Sequence, residues 1–320
     1  MLRWSRSSAI AGTIVWLILL NRPLSTSFLI DGIVRLLLLA ILIFVPLGLS
    51  PGVLPDHSNS PLRIIRAAQW LQPLAAILVT FSFLLPVDLT AALLASSWLL
   101  CTALIALYGL TRFLSHRFTR IEEVCIDAGL IYLPIGSAWL LFSRLGLNPL
   151  GFGDQIVLLT AVHFHYAGFA APILAGLVGR TLRETSWPIW KLFRFVAIGV
   201  ISGPPLIAIG ITFSPLIEVA AVIILVTSLV ALSIVTLVFV VPKVQARVAQ
   251  ALLVISSLAV IAAMILALSY GVSKFAHAPV LSIPQMIQVH GLLNGFGFVL
   301  CGLLAWNLLY NVSSGQAENM

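Results

Sequence analysis

Charged side chains are what this sequence has least of: 8% of its 320 residues, against roughly a quarter in a soluble domain. So few charges could not cover a water-facing surface, and that excludes a soluble fold. Cysteine is also scarce. Cys101, Cys125 and Cys301 lie in apolar blocks with no CxxC spacing, which makes them small buried hydrophobes rather than a disulfide or metal framework. GxSxG, GxxxxGK[ST], CxxCH and HExxH are all missing. Serine-esterase, phosphate-loop, c-type haem and zinc-protease chemistry therefore find no signature. No soluble domain or low-complexity tract interrupts the chain, and its longest polar connection, Ser50 to Pro61, is too short to fold alone.

What is present is hydrophobicity in blocks. AVILMFWYC residues make up 61% of the chain, and mean hydropathy is +1.13. The blocks run to about twenty residues, the length a helix needs to cross a ~30 Å hydrocarbon core. They predict ten spans, near 7–21, 28–49, 64–86, 89–112, 122–145, 155–179, 190–213, 216–241, 248–271 and 283–309. The first resembles a signal peptide in charge and length, but Asn21-Arg22-Pro23-Leu24 follows it without a small-x-small site, so it is read as a retained span. Asp88, Asp154 and Ser214 stand at helix starts, where an N-cap side chain satisfies free N–H groups. The expected fold is an all-α polytopic transmembrane helical bundle, a single membrane domain over residues 1–320.

The net charge of +7 does not mark a nucleic-acid binder, because the basic residues sit in short connections between spans. With the N-terminus inside, thirteen fall on cytoplasmic segments or their edges: Arg3, Arg6, Arg63, Arg66, Arg112, Arg117, Arg120, Arg180, Arg183, Lys191, Arg194, Lys243 and Arg247. Arg22, Arg144 and Lys274 fall outside, and Arg35 lies within the second span. That asymmetry is the positive-inside pattern, and adding or removing one span would scramble it. It predicts N-in and C-in, with a lipid bilayer around the chain and anionic headgroups as cytoplasmic-side partners.

Ionisable groups inside hydrocarbon each call for a reason. Glu122, Glu184 and Glu218 lie near span ends and are expected to snorkel. Asp31 and Arg35, four apart on one helix face, neutralise each other. His57, His116 and His277 fall in loops and are expected to be solvated.

Three histidines remain. The sixth span reads VHFHYAGF from Val162 to Phe169, and the tenth reads HGLLNGFGF from His290 to Phe298. The fifth opens EEVCID from Glu122 to Asp127 and continues past Tyr132, Pro134 and Trp139. His163 and His290 each lie ~12 Å below the outer edge of spans that run in the same direction, so they could meet at one depth. His163 and His165 are ~200° apart on a regular helix, so they cannot both ligate one ion. Either one meets a ligand while the other bonds a neighbouring helix, or the helix is distorted near Pro172. Gly291 and Gly295 offer a close helix approach, and Asn294 shares a face with His290. Asp127 is ~10 Å or more from the histidines in depth, on a pathway more than in direct contact. Ser202-Gly203-Pro204-Pro205 in the seventh span is expected to kink or break that helix.

HFHYAGF at His163–Phe169, HGLLNGFGF at His290–Phe298 and DAGLIYLPIGSAWLL at Asp127–Leu141 resemble the YndJ-like family of bacterial membrane proteins. The likeness covers roughly the second two-thirds of the chain, and the first hundred residues match only in hydrophobicity. It implies a multi-pass protein of the bacterial cytoplasmic (inner) membrane and supplies no reaction. HFHYAGF is also similar to the histidine-bearing helices of haem-copper oxidases, a pattern that needs more ligand histidines than these spans hold.

Three functions stay open. One is binding or transport of an ion, proton or small solute, with Asp127, Tyr132, Tyr166 and Asn294 as ligand-binding side chains. Another is a membrane enzyme using haem b or a divalent metal, with His163, His165 and His290 as the metal or haem residues and Tyr166 or Asp127 moving protons. The third is a structural or accessory subunit beside a membrane partner, its histidines bonding between helices.

Overall fold

The computed structural model describes residues 2–50, 62–278 and 280–317, with side chains for 4–50, 63–278 and 280–310. The connection expected over Ser50 to Pro61, with His57, falls almost wholly outside them. The chain folds as helices: α1 (Leu2–Leu19), α2 (Phe28–Gly48), α3 (Leu62–Ser82), α4 (Leu89–His116), α5 (Ile121–Arg144), α6 (Asp154–Leu182), α7 (Trp187–Phe213), α8 (Pro215–Lys243), α9 (Arg247–Phe275) and α10 (Ile283–Tyr310). Among the described residues nine of these, α2 to α10, are long and apolar enough to cross a membrane. Their ends fall within a few residues of those read from hydropathy.

The helices pack as two compact units. Unit 1 comprises Met1–Thr119 and Asp127–Ala170, and unit 2 comprises Arg120–Ile126 and Ala171–Met320.

At the core of unit 1 is the second half of α2, which carries no charged residue and is enclosed on all sides: residues 36–50 are buried without a break. Its backbone is held by side chains of three other helices. Trp16 donates to Arg35 O (2.9 Å) and Ser5 to Pro46 O (2.6 Å) from α1. Gln72 and Gln69 of α3 donate to Ile41 O and Leu49 O, both at 3.1 Å, and Tyr166 of α6 donates to Leu36 O at 2.9 Å. Asp31 and Arg35 pair as their spacing predicts, at 2.5 Å. Arg35 also donates to Leu19 O and Arg22 O, at the end of α1. Arg144 does the same for α3, donating to Ser82, Leu85 and Pro86 carbonyls.

In unit 2, α7 and α8 form an antiparallel pair joined through Ser214 alone. Three glycines line their seam. A Cβ on Gly203 would lie 2.8 Å from Leu225, and one on Gly199 or Gly210 would run into Ser228 or the Glu218 backbone. The seam explains Ser202–Pro205. The helix is neither broken nor unwound there; α7 runs on through Pro204 and Pro205, with Gly203 seated against Leu225.

Among the described residues four spans widen locally from α to π spacing: at Ala40–Phe44, Phe164–Ala170, Thr236–Val240, and Met286–His290 with Leu293–Leu300. In the first three a proline follows, at Pro46, Pro172 and Pro242. A proline ring collides with the carbonyl four residues back and leaves it without its N–H donor. Those carbonyls belong to Leu42, Gly168 and Val238, each inside the widened turn.

Two capping expectations divide. Asp88 caps α4, accepting from Ala91 N at 2.8 Å. Asp154 is instead the first helical residue of α6 with Gly153 at the cap, so its charge meets the helix dipole rather than a free N–H.

Candidate functional site

The sixth-span motif splits as its spacing requires. His163 ends the regular part of α6 with its side chain exposed, and His165, two residues on, is wholly buried. Three helices of unit 1 enclose the His165 ring. Its Nδ1 lies 2.8 Å from Ala161 O, and a carbonyl can only accept, so Nδ1 carries the proton. Nε2 then presents a lone pair, and Trp98 of α4 donates its indole N–H to it at 3.1 Å. Gly136 of α5 makes the space, since a Cβ there would lie 2.7 Å from His165 Nδ1. Both nitrogens are committed within the protein, and His165 serves as an interhelical tie.

His163 donates from Nδ1 to Leu159 O of its own helix at 2.7 Å. Its Nε2 has no partner among the described residues, which leaves an exposed imidazole with a free lone pair ~14 Å along the span. Tyr166 is buried, bonded to Leu36 O and edge-on to Phe44 with ring centroids 5.2 Å apart. Tyr132 is half-buried, edge-on to Phe164 at 6.4 Å.

Asp127 stands at the centre of a cluster that sequence reasoning only half identified. Its carboxylate is wholly buried in α5, with Arg112 Nε 3.0 Å from Oδ1 and His116 Nε2 2.6 Å from Oδ2. Both partners come from the last turns of α4. The Arg112 guanidinium is 2% exposed and also lies over the Tyr108 ring. His116 is not the solvated loop histidine expected; it closes α4 with its side chain 16% exposed. Its Nδ1 faces Arg117 O at 2.9 Å, so both ring nitrogens point at oxygen. A neutral imidazole has one N–H. It can donate to one of these oxygens, and donating to both takes a second proton.

Unit 2 holds the remaining candidates. His290 is half-buried and its Nδ1 reaches Ala263 O of α9 at 2.9 Å. Asn294 donates to His290 O at 2.8 Å, within its own helix. In this span a close approach falls at Gly297, where a Cβ would meet Ala259. Glu122, expected to snorkel, is instead wholly buried, with Arg183 Nη2 2.5 Å from its carboxylate. Beside it in sequence, Glu123 receives a two-pronged bond from Arg180 at 2.7 and 2.8 Å. Glu218 is paired with Lys274 at 2.7 Å.

Among the described residues no three His, Cys, Asp or Glu side chains gather into a metal site. Trp98 gave no sequence signal, being 67 residues from its histidine. Arg112 and His116 did give one: they are four apart, share a helix face and are followed shortly by a span carrying Asp127.

The family described as YndJ-like protein matches residues 35–298, a reach that begins in α2, well before the segment carrying the sequence motifs. A protein of Bacillus subtilis (strain 168) named uncharacterized membrane protein YndJ is 34% identical over 282 residues, covering 85% of this chain and 48% of its own length. The chain thus spans about half the length of that curated relative. No solved structure matches it. A multi-pass helical protein whose family match runs through all three motif segments, the chain belongs to the YndJ-like family.

Proposed function

We propose that this membrane protein binds or transports a proton, an ion or a small solute, and that Asp127 and His116 form its proton-holding centre. The observation that carries the reading is the His116 ring, whose two nitrogens both face oxygen acceptors, one of them Oδ2 of the buried Asp127. A carboxylate withdrawn from water is costly unless paired, and ionisable groups kept inside spans mark ion and proton paths. Arg112 supplies the fixed positive charge at 3.0 Å, and imidazole can accept a proton on one nitrogen while releasing one from the other. Purified protein in liposomes loaded with a pH-sensitive dye tests this. Wild type is expected to pass protons under an imposed gradient, and Asp127→Asn and His116→Ala are expected to lose that flux. Equal flux in all three would contradict it.

The same reading gives His163 a separate role. With Nε2 free on an exposed side chain, it is the imidazole available to a ligand or to a membrane partner subunit. The basic asymmetry supports an N-in, C-in orientation in a bacterial cytoplasmic membrane, with Arg63, Arg66, Arg117 and Arg120 against anionic headgroups.

A further inference from the structure

Unit 2 has a partly open cavity of about 20 Å³ among α6, α8, α9 and α10, room for one water molecule. Ser233, Thr236, Ser256 and Ser257 line it, with Trp306 and apolar walls. Ser257 is ten residues into α9, ~15 Å from its start and so well inside the hydrocarbon. Hydroxyl groups at that depth need partners.

Three of the four find them in backbone. Ser233 donates to Leu229 O (2.9 Å), Thr236 to Leu232 O (2.8 Å) and Ser256 to Phe298 O (2.8 Å). A hydroxyl that has donated its proton still has lone pairs to offer. The Ser257 hydroxyl and the Trp306 indole N–H have no partner among the described residues, although these residues are only 4% and 8% exposed. The residues lining the cavity therefore carry spare acceptors and spare donors together. No charged side chain lines it. A cation would face the Trp306 N–H without a counter-charge, and an anion would meet no positive group. Gly302 keeps the space open, because a Cβ there would lie 3.0 Å from Ser256 Oγ and from Leu174.

We infer that this cavity is a binding site for a single neutral, water-sized molecule that both donates and accepts hydrogen bonds, and that water occupies it in the resting membrane. The molecule accepts from Trp306 and Ser257 and donates to the other hydroxyls. The site lies wholly in unit 2 and is independent of any role for Asp127.

X-ray hydroxyl-radical footprinting of the full chain in nanodiscs, in ¹⁸O-labelled water, tests the assignment, because radiolysis of a bound water marks side chains beside it even when bulk water is excluded. Trp306 and Phe298 are expected to take up label several-fold faster than Phe193, a buried aromatic of the same unit outside the cavity. Ser257→Ala, which removes an anchor and adds no bulk, is expected to reduce that labelling, and Gly302→Ala, which fills the space, to abolish it. Should Gly302→Ala fail to fold, Ser257→Ala decides alone. Labelling no faster than at Phe193, or labelling unchanged in Ser257→Ala, overturns the proposal.

Discussion

Trp98 gives its indole N–H to Nε2 of His165 across 3.1 Å, between helices 67 residues apart in sequence. The bond fixes the tautomer of the ring, ties α4 to α6 and leaves His165 no free nitrogen. Trp98→Phe keeps an aromatic in place and removes only the donor. Hydrogen bonds between membrane helices average about 0.6 kcal/mol and reach about 1.7, and stranding a buried acceptor adds to the loss. Unfolding in mixed detergent should show Trp98→Phe less stable by about 1–2 kcal/mol. No measurable change would mean the bond is idle.

His163 and His165 should respond oppositely to alanine substitution. His163 is exposed and bonded only within its own helix, so His163→Ala should leave the melting temperature near wild type while weakening ligand or partner binding. His165→Ala opens a space among three helices and strands Trp98. It should cost about 2–4 kcal/mol, by analogy with large-to-small changes in well-packed cores. A melting curve for each variant checks the contrast.

The glycine seam makes a graded prediction. On Gly271, outside the seam in α9, a Cβ would lie 3.3 Å from a Val222 methyl, whereas on Gly210 it would strike the Glu218 backbone. Gly210→Ala should therefore destabilise by roughly 1–3 kcal/mol, the usual scale of overpacking, and Gly271→Ala by clearly less. Equal losses in detergent unfolding would argue against the seam.

Much of this was readable from residue order alone. Span ends follow from charge, proline and glycine, because the bilayer demands twenty apolar residues and tolerates little else. Opposite exposure of His163 and His165 follows from helical geometry. The pairing of His116 with Asp127 was missed for a physical reason: α4 continues past the hydrophobic stretch that ends near Arg112, so a residue assigned to a loop still lies on a helix face. Glu122 shows the same limit: closeness to a span end does not ensure access to water where a neighbouring helix covers the side chain. The π turns leave no hydrophobic period of their own, and a following proline hints at them in three spans and not in α10. At Pro204 and Pro205 the same residue type leaves α7 continuous.

The buried Arg112–Asp127 pair separates structure from function. Removing one partner of a buried ion pair typically costs about 3–5 kcal/mol because it strands a buried charge, and neutralising both partners together removes that stranded charge. Arg112→Gln and Asp127→Asn should each destabilise by about that amount, and the double variant should recover much of the loss in the same unfolding assay.

That double variant also provides the most direct measurement: proton flux in liposomes for Arg112→Gln/Asp127→Asn, compared with wild type at matched insertion. A folded, inserted protein that no longer passes protons is the predicted result, because the neutral amide cannot share a proton with His116. Flux equal to wild type in the folded double variant would contradict the proposed centre and reduce the cluster to a packing contact between α4 and α5.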